Sequence, residues 1–344
     1  MTDESDQVLT RVDGSVGLIT LNRPKAINSL NQQMVDALRA ILNRWEDDDA
    51  VHAVVLSGAG ERGLCAGGDV VAVYHSARKD GVEVRRFWRD EYLMNGQIGR
   101  FTKPYVSLMD GIVMGGGVGV SAHGSNRVVT ETSKIAMPEV GIGFVPDVGG
   151  AFLLSRAPGA LGLHAALTGA PFSGADAVAM GFADHYVPHS ELEALTAAIV
   201  SDGSEQAIAR YAIEPPASEL AAQRDWIDSC YAGDTVADIL AALHQHGGPA
   251  QDAADLIATR SPIAVSVTLQ AVRRAATLDK LEDVLVQDYR VSSAAARSHD
   301  LVEGIRAQII DKDRNPKWSP ATLAEVSPAD VDAYFAPVDD DLSF

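Results

Sequence analysis

Apolar residues follow two rhythms in the first 200 positions: short runs rich in β-branched residues, and stretches where they recur every three or four positions. Val16 to Leu21 follows the turn signal Asp13-Gly14 and stops at Asn22-Arg23-Pro24, which predicts a strand. Leu30, Met34, Leu38, Ile41, Leu42 and Trp45 then mark one face of an amphipathic helix, with Asn28 or Ser29 as its N-cap. Val51 to Leu56 reads as the next strand, and it enters a glycine-rich loop, Ser57 to Gly68. A helical segment from about Glu83 to Ile98 and a strand from Tyr105 to Met109 lead to a second such stretch, Gly111 to Gly119. Strand, glycine turn and helix in repetition predict an α/β fold with helices covering strands.

Past residue 190 the rhythm becomes helical throughout. Ile239, Leu240 and Leu243, and later Val284, Leu285, Tyr289 and Val291, keep that spacing. The expected organisation is a core over residues 8–200 and a mostly helical region over 201–344, punctuated by Pro215-Pro216 and Gly247-Gly248-Pro249. An acidic tail closes the chain from Asp330 onward.

With 344 residues, 47% hydrophobic and 22% charged, the composition is that of a soluble folded protein, not of a disordered or coiled-coil chain. The net charge of −19 disfavours nucleic acid and anionic membrane as partners, so an anionic ligand must be held locally. Met1 to Asp6 is acidic and polar, and no run of eighteen apolar residues occurs, which predicts a cytoplasmic protein without a membrane span. Cys65 and Cys230 are too few for a disulfide framework, and the nine histidines are scattered, so no metal site is expected. Gly58-Ala-Gly60-Glu-Arg-Gly63 matches the dinucleotide fingerprint, but Leu64 to Asp69 intervenes where a helix would have to begin. A nicotinamide cofactor is therefore not expected.

Two glycine clusters and two acids carry the chemical signal. Ala66-Gly67-Gly68 and Gly115-Gly116-Gly117 each follow a strand, and parallel strands would bring both loops to one sheet edge. Glycines there can turn two N–H groups toward one point, as an oxyanion hole requires; they also suit a tight turn or close packing. Glu139 and Asp147 stand in an apolar, glycine-rich run, where a desolvated carboxylate gains basicity. A buried hydrogen-bonded acid and a helix cap are the plainer uses of the two. Cys65 reads as a small packing residue, since no histidine stands at a telling position.

Taken in order, Leu21-Asn-Arg-Pro-Lys-Ala-Ile-Asn28, Cys65-Ala-Gly-Gly-Asp69, Asp110-Gly-Ile-Val-Met-Gly-Gly-Gly117 and Met137-Pro-Glu139 resemble the signature blocks of the crotonase, or enoyl-CoA hydratase/isomerase, superfamily. The resemblance implies a spiral of ββα repeats, acyl-CoA thioesters as ligands, and an oxyanion hole formed by the N–H groups of Gly68 and Gly116. No cofactor is implied, coenzyme A being part of the substrate. Glu91-Tyr-Leu-Met-Asn95, Phe144-Val-Pro-Asp147-Val-Gly-Gly150, Glu303-Gly-Ile-Arg-Ala307, Asp311-Lys-Asp313 and Pro316-Lys-Trp318 are similar to the 3-hydroxyisobutyryl-CoA hydrolase branch. In that branch Glu91, Gly116, Glu139 and Asp147 correspond to substrate-contacting positions, with Glu139 and Asp147 as the catalytic acids. The implied reaction is thioester hydrolysis in valine catabolism, with hydratase or isomerase chemistry on the same scaffold as the alternative. Gly119 stands where hydratases carry the first of two glutamates, and Asp147 where they carry glycine. Arg23, Lys25 and Arg62 are candidates for the CoA phosphates, and such relatives often assemble as homotrimers or pairs of trimers.

Overall fold

Gly14 and Ser15 turn the chain between β1 (Val8–Asp13) and β2 (Val16–Leu21) in the computed structural model, which describes residues 6–344. The acidic stretch Met1 to Ser5 lies outside the described residues. By its contacts the chain forms two units, each assembled from three stretches. The first takes the residues up to Gly68 with Leu93–Ile135 and Phe172–Ser218; the second takes Asp69–Tyr92, Ala136–Pro171 and Glu219–Phe344. The units therefore do not part after residue 200. Composition follows helix content, whereas the units follow which segments pack together.

In the first unit β2 runs parallel to β3 (Ala53–Gly58), which runs parallel to β4 (Tyr105–Met109). Ile112–Met114 forms β5, and β6 (Asn126–Val129) extends the same parallel array beyond β4. Lys134–Ala136 is β7, Phe172–Ser173 is β8, and His185–Tyr186 is β9. The main sheet has the order β1-β2-β3-β4-β6-β9, and β5-β7-β8 make a smaller one. The central strands are buried nearly throughout, as expected of parallel strands covered on both faces. Val16, Leu18, Val55, Val106, Leu108 and Val128 pack against Leu195, Ile199 and Ile208 from the helices Leu192–Asp202 and Ser204–Tyr211.

The first helix, Gln32–Glu46, buries Met34, Leu38, Ile41, Leu42 and Trp45 as its periodicity predicts. Its cap is Asn31, whose side chain accepts the Met34 N–H at 3.0 Å. Asn28 serves elsewhere: fully buried, it accepts the Arg23 N–H and donates to the carbonyls of Ala59 and Gly63, tying three loop segments together.

The second unit is almost wholly helical. Pro262–Ala275 buries ten of its fourteen residues and is begun by Ser261, which accepts the Ala264 N–H, and by a proline in the first turn. The helix Val82–Gly99 starts in this unit and ends in the first. The late motifs prove to be a structural staple: the Arg306 guanidinium donates to Glu303, Asp311 and Asp313 at 2.7–2.8 Å. No helix among the described residues is long and apolar enough to cross a membrane.

The parallel pairing of β3 and β4 sends the loops that follow them to the same sheet edge, where they lie backbone on backbone. A Cβ on Gly117 would sit 2.3 Å from the Cys65 carbonyl oxygen, a main-chain atom that no rotamer change can move. Gly117→Ala is expected to cost about 2–4 kcal/mol, in the range of severe core lesions. Urea unfolding followed by circular dichroism checks this as a lowered midpoint with an unchanged slope.

Candidate active site

In the first unit the two glycine loops are stitched together by main-chain bonds. Cys65 donates to the Ile112 carbonyl and Met114 returns a bond to the Cys65 carbonyl, while Ala66 donates to Ile27 and Leu30 donates to Gly67. None of these bonds uses the N–H of Gly68 or of Gly116. Gly116 is the first residue of the helix Gly116–Ser121, where an N–H has no partner within the helix. Gly67, at φ +105, lies so close to the second loop that a Cβ there would stand 3.8 Å from the Gly116 nitrogen. The loops thus hold two amides on adjoining strands of backbone. Cys65 is fully buried, its thiol toward the carbonyls of Asn28 and Gly67, and serves packing as expected.

The second unit gathers acids. Glu91, Glu139, Asp147 and Asp288 are all buried, between 2% and 7% exposed. Glu139 opens a short 3-10 turn, Glu139–Ile142, directly after Pro138. Burial raises its carboxyl well above the ordinary range, and the charges of Asp147 and Glu91 add to the effect. Glu91 is raised for the same reasons, burial first and then Asp147. Burial pushes Asp147 up to about 7, against the opposing help of a hydrogen bond from Tyr92 and one from its own backbone. One oxygen of Glu91 and one of Glu139 have no hydrogen-bond partner among the described residues. Such atoms are costly to leave bare, and they fit a ligand that brings its own donors.

The turn carrying Asp147 is strained. Val148, a buried β-branched residue, sits at φ +52, a conformation that costs on the order of 1–3 kcal/mol. Gly149 follows at φ +75, and its N–H is donated to Asp288 Oδ2 at 2.8 Å. Tyr92 donates its hydroxyl proton to Asp147 Oδ2 at 2.6 Å and lies 2.7 Å from Ser292 Oγ.

The structure therefore brings Glu91, Glu139 and Asp147 into one electrostatic group within the second unit, and sets Gly68 and Gly116 on neighbouring loops of the first. Glu91 follows Arg89 and Asp90 in sequence, yet it is buried where those two keep part of their surface in solvent. Of the basic candidates, Arg62 donates to the carbonyls of Pro24 and Lys25, and Arg23 donates to that of Ser29, so both brace their own loop; Lys25 is exposed. Sequence reasoning passed over Tyr92, Asp288 and Ser292. Asp288 had a signal, since it falls on the same helical stripe as Val284, Leu285 and Val291.

A family model described as enoyl-CoA hydratase/isomerase matches residues 16–335. The chain is 40% identical over 347 residues to the mitochondrial 3-hydroxyisobutyryl-CoA hydrolase of Danio rerio, covering 97% of this chain and 90% of that one. The corresponding protein of Homo sapiens is 38% identical over 346 residues, covering 97% and 89%. Among solved structures, one described as a carnitinyl-CoA dehydratase from Mycobacterium thermoresistibile superposes with a TM-score of 0.97 at 69% identity, over 99% of each chain. Another, described as an enoyl-CoA hydratase from Rhodobacter sphaeroides, gives 0.94 at 40% identity over 98% of this chain and 100% of that one.

A carboxyl whose folded pKa is raised destabilises the fold as pH rises. Between about 4, where an unfolded aspartate ionises, and about 7, where Asp147 does so in place, the unfolded chain releases its proton first. Asp147→Asn removes that penalty. Its melting temperature is expected to exceed that of the unmodified protein by a few degrees at pH 8 and to converge with it near pH 4, measured by scanning calorimetry across that range.

Proposed function

The chain belongs to the enoyl-CoA hydratase/isomerase, or crotonase, family, and from that membership we propose that it hydrolyses a short 3-hydroxyacyl-CoA thioester, with 3-hydroxyisobutyryl-CoA as the substrate. The observation that carries this reading is Asp147, a second buried acid whose charge acts on Glu139. The family pattern has glycine at that position in hydratases and a glutamate where this chain has Gly119. The first acid of the hydration pair is thus missing, and the acids that remain suit attack at the thioester carbon. The hydrolase relatives, 38–40% identical over nearly the whole chain, support the same reading.

In the proposed reaction the N–H groups of Gly68 and Gly116 hold the thioester oxygen and stabilise the negative charge it gains, each by about 3 kcal/mol. Glu139, ionised, supplies the electron pair in one of two ways. It takes a proton from water as water adds to the carbonyl carbon, or it adds directly and forms a mixed anhydride that water then opens. In both, the carbon–sulfur bond breaks, the thiol leaves with a proton, and the carboxylate product gains one oxygen from water. Asp147 orients the 3-hydroxyl and assists the proton transfer, and Glu91 contacts the acyl group. Arg23, Lys25 and Arg62 are proposed, on sequence position, as the basic residues nearest the CoA phosphates.

A second reading, hydration of an enoyl-CoA or the reverse dehydration of a 3-hydroxyacyl-CoA by Glu139, is favoured by the 69% identity to the Mycobacterium structure described as a carnitinyl-CoA dehydratase. Thiol release and enoyl absorbance separate the two. With 3-hydroxyisobutyryl-CoA, a thiol reagent is expected to report one equivalent of free CoA; a change in enoyl absorbance without thiol would favour the second reading. Glu139→Gln is expected to lower kcat about 10³-fold and Asp147→Asn about 10²-fold. Because burial and Asp147 raise Glu139, the ascending limb of kcat/KM should lie well above the ordinary carboxylate range. Asp147→Asn removes the repelling charge and should move that limb to lower pH.

A further inference from the structure

Asp147 sits among acids. Glu91 comes from the helix Val82–Gly99, Glu139 from its 3-10 turn, and Asp288 from the helix Leu281–Ala295. The negative charge of Asp147 adds to what burial does to each of them, raising all three carboxyls further. Left to itself, an aspartate so placed would keep its proton, and the strained turn beneath it would relax. Two contacts oppose these tendencies, and both reach back to one face of the helix Leu281–Ala295.

The first is a directed chain of hydroxyls. A carboxylate only accepts, so the single Tyr92 proton goes to Asp147, and Ser292 donates its own to the Tyr92 oxygen. Burial and the surrounding acids hold the Tyr92 phenol protonated, so it remains a donor throughout the working range. Tyr289 packs edge-on against its ring, 6.5 Å between centroids, which limits its swing. The second contact is Asp288, four residues before Ser292, which accepts the Gly149 N–H. It fixes the backbone just past the strained Val148.

Building on the hydrolase reading, we propose that Tyr92 and Asp288 are positioning residues: Tyr92, locked by Ser292, aims the Asp147 carboxylate, and Asp288 pins the turn that carries it. Neither touches the reacting atoms. One helix face thereby sets both the direction of the acid and the shape of its backbone.

The test combines a ligand-free titration with kinetics. The Asp147 carboxyl is followed by infrared titration, identified as the band absent from Asp147→Asn. Tyr92→Phe is expected to move its midpoint up by about one pH unit, because the ionised form loses a charge-assisted donor. Ser292→Ala should move it the same way by less. In thiol-release assays Tyr92→Phe should lower kcat about 10–100-fold with KM changed less than threefold. Asp288→Ala should lower kcat at least tenfold, and Asp288→Asn, which still offers an oxygen to Gly149, should lose less. An unmoved Asp147 midpoint in folded Tyr92→Phe, or equal losses in the two Asp288 variants, overturns the proposal. Should the unmodified protein release no thiol, the hydrolase reading falls, while the infrared titration still decides the role of Tyr92; Ser292→Ala serves there if Tyr92→Phe does not fold.

Discussion

Carboxylates buried beside one another, with no cation among the groups that act on them, are the constraint on which the second unit turns. Each charge taken out of water is costly, and each neighbour of the same sign adds to that cost. Glu91, Glu139, Asp147 and Asp288 are all raised by burial first, and the charge of Asp147 raises the other three further. Hydrogen bonds relieve part of the burden at Asp147 and Asp288 and leave an oxygen of Glu91 and of Glu139 bare. Such an arrangement is poor for stability and well suited to holding basic oxygens near neutral pH.

The first unit solves a different problem. It brings two lengths of backbone into contact through main-chain bonds. Parallel strands deliver the loops to one edge, and cross-loop bonds between Cys65 and the Ile112–Met114 strand lock their register. Glycine at 67 and 117 leaves room for that contact, and the Asn28 side chain ties the first loop to its neighbours.

The strands Val16–Leu21 and Tyr105–Met109 were legible to the residue, because each is a short apolar run bounded by turn signals. The first helix was legible in its buried face but not in its start, since Asn28 and Asn31 offer the same chemistry and only the fold assigns one to loop tying and the other to capping. Of the site, Glu139 and Asp147 stood out as acids in apolar surroundings, and Glu91 did not, its neighbours being charged. Nothing local to Tyr92 or Ser292 says that the two meet. Their role comes from a meeting across 200 positions of sequence, which no window of residues contains. The division into two units was hidden for a related reason: each is built from stretches that return after long absences.

Both borders of the main sheet are poor templates for a stray strand. On one side β1 presents exposed Thr10, Arg11 and Val12, with an ion pair from Arg11 to Asp13. On the other, β9 is two residues long, and Ile213 already donates to the Tyr186 carbonyl. A buried parallel sheet of this kind is slow to assemble and exposes apolar strands on the way. Charged at one margin and truncated at the other, it gives neighbouring molecules little to zip onto, and so resists fibrous self-association in crowded conditions.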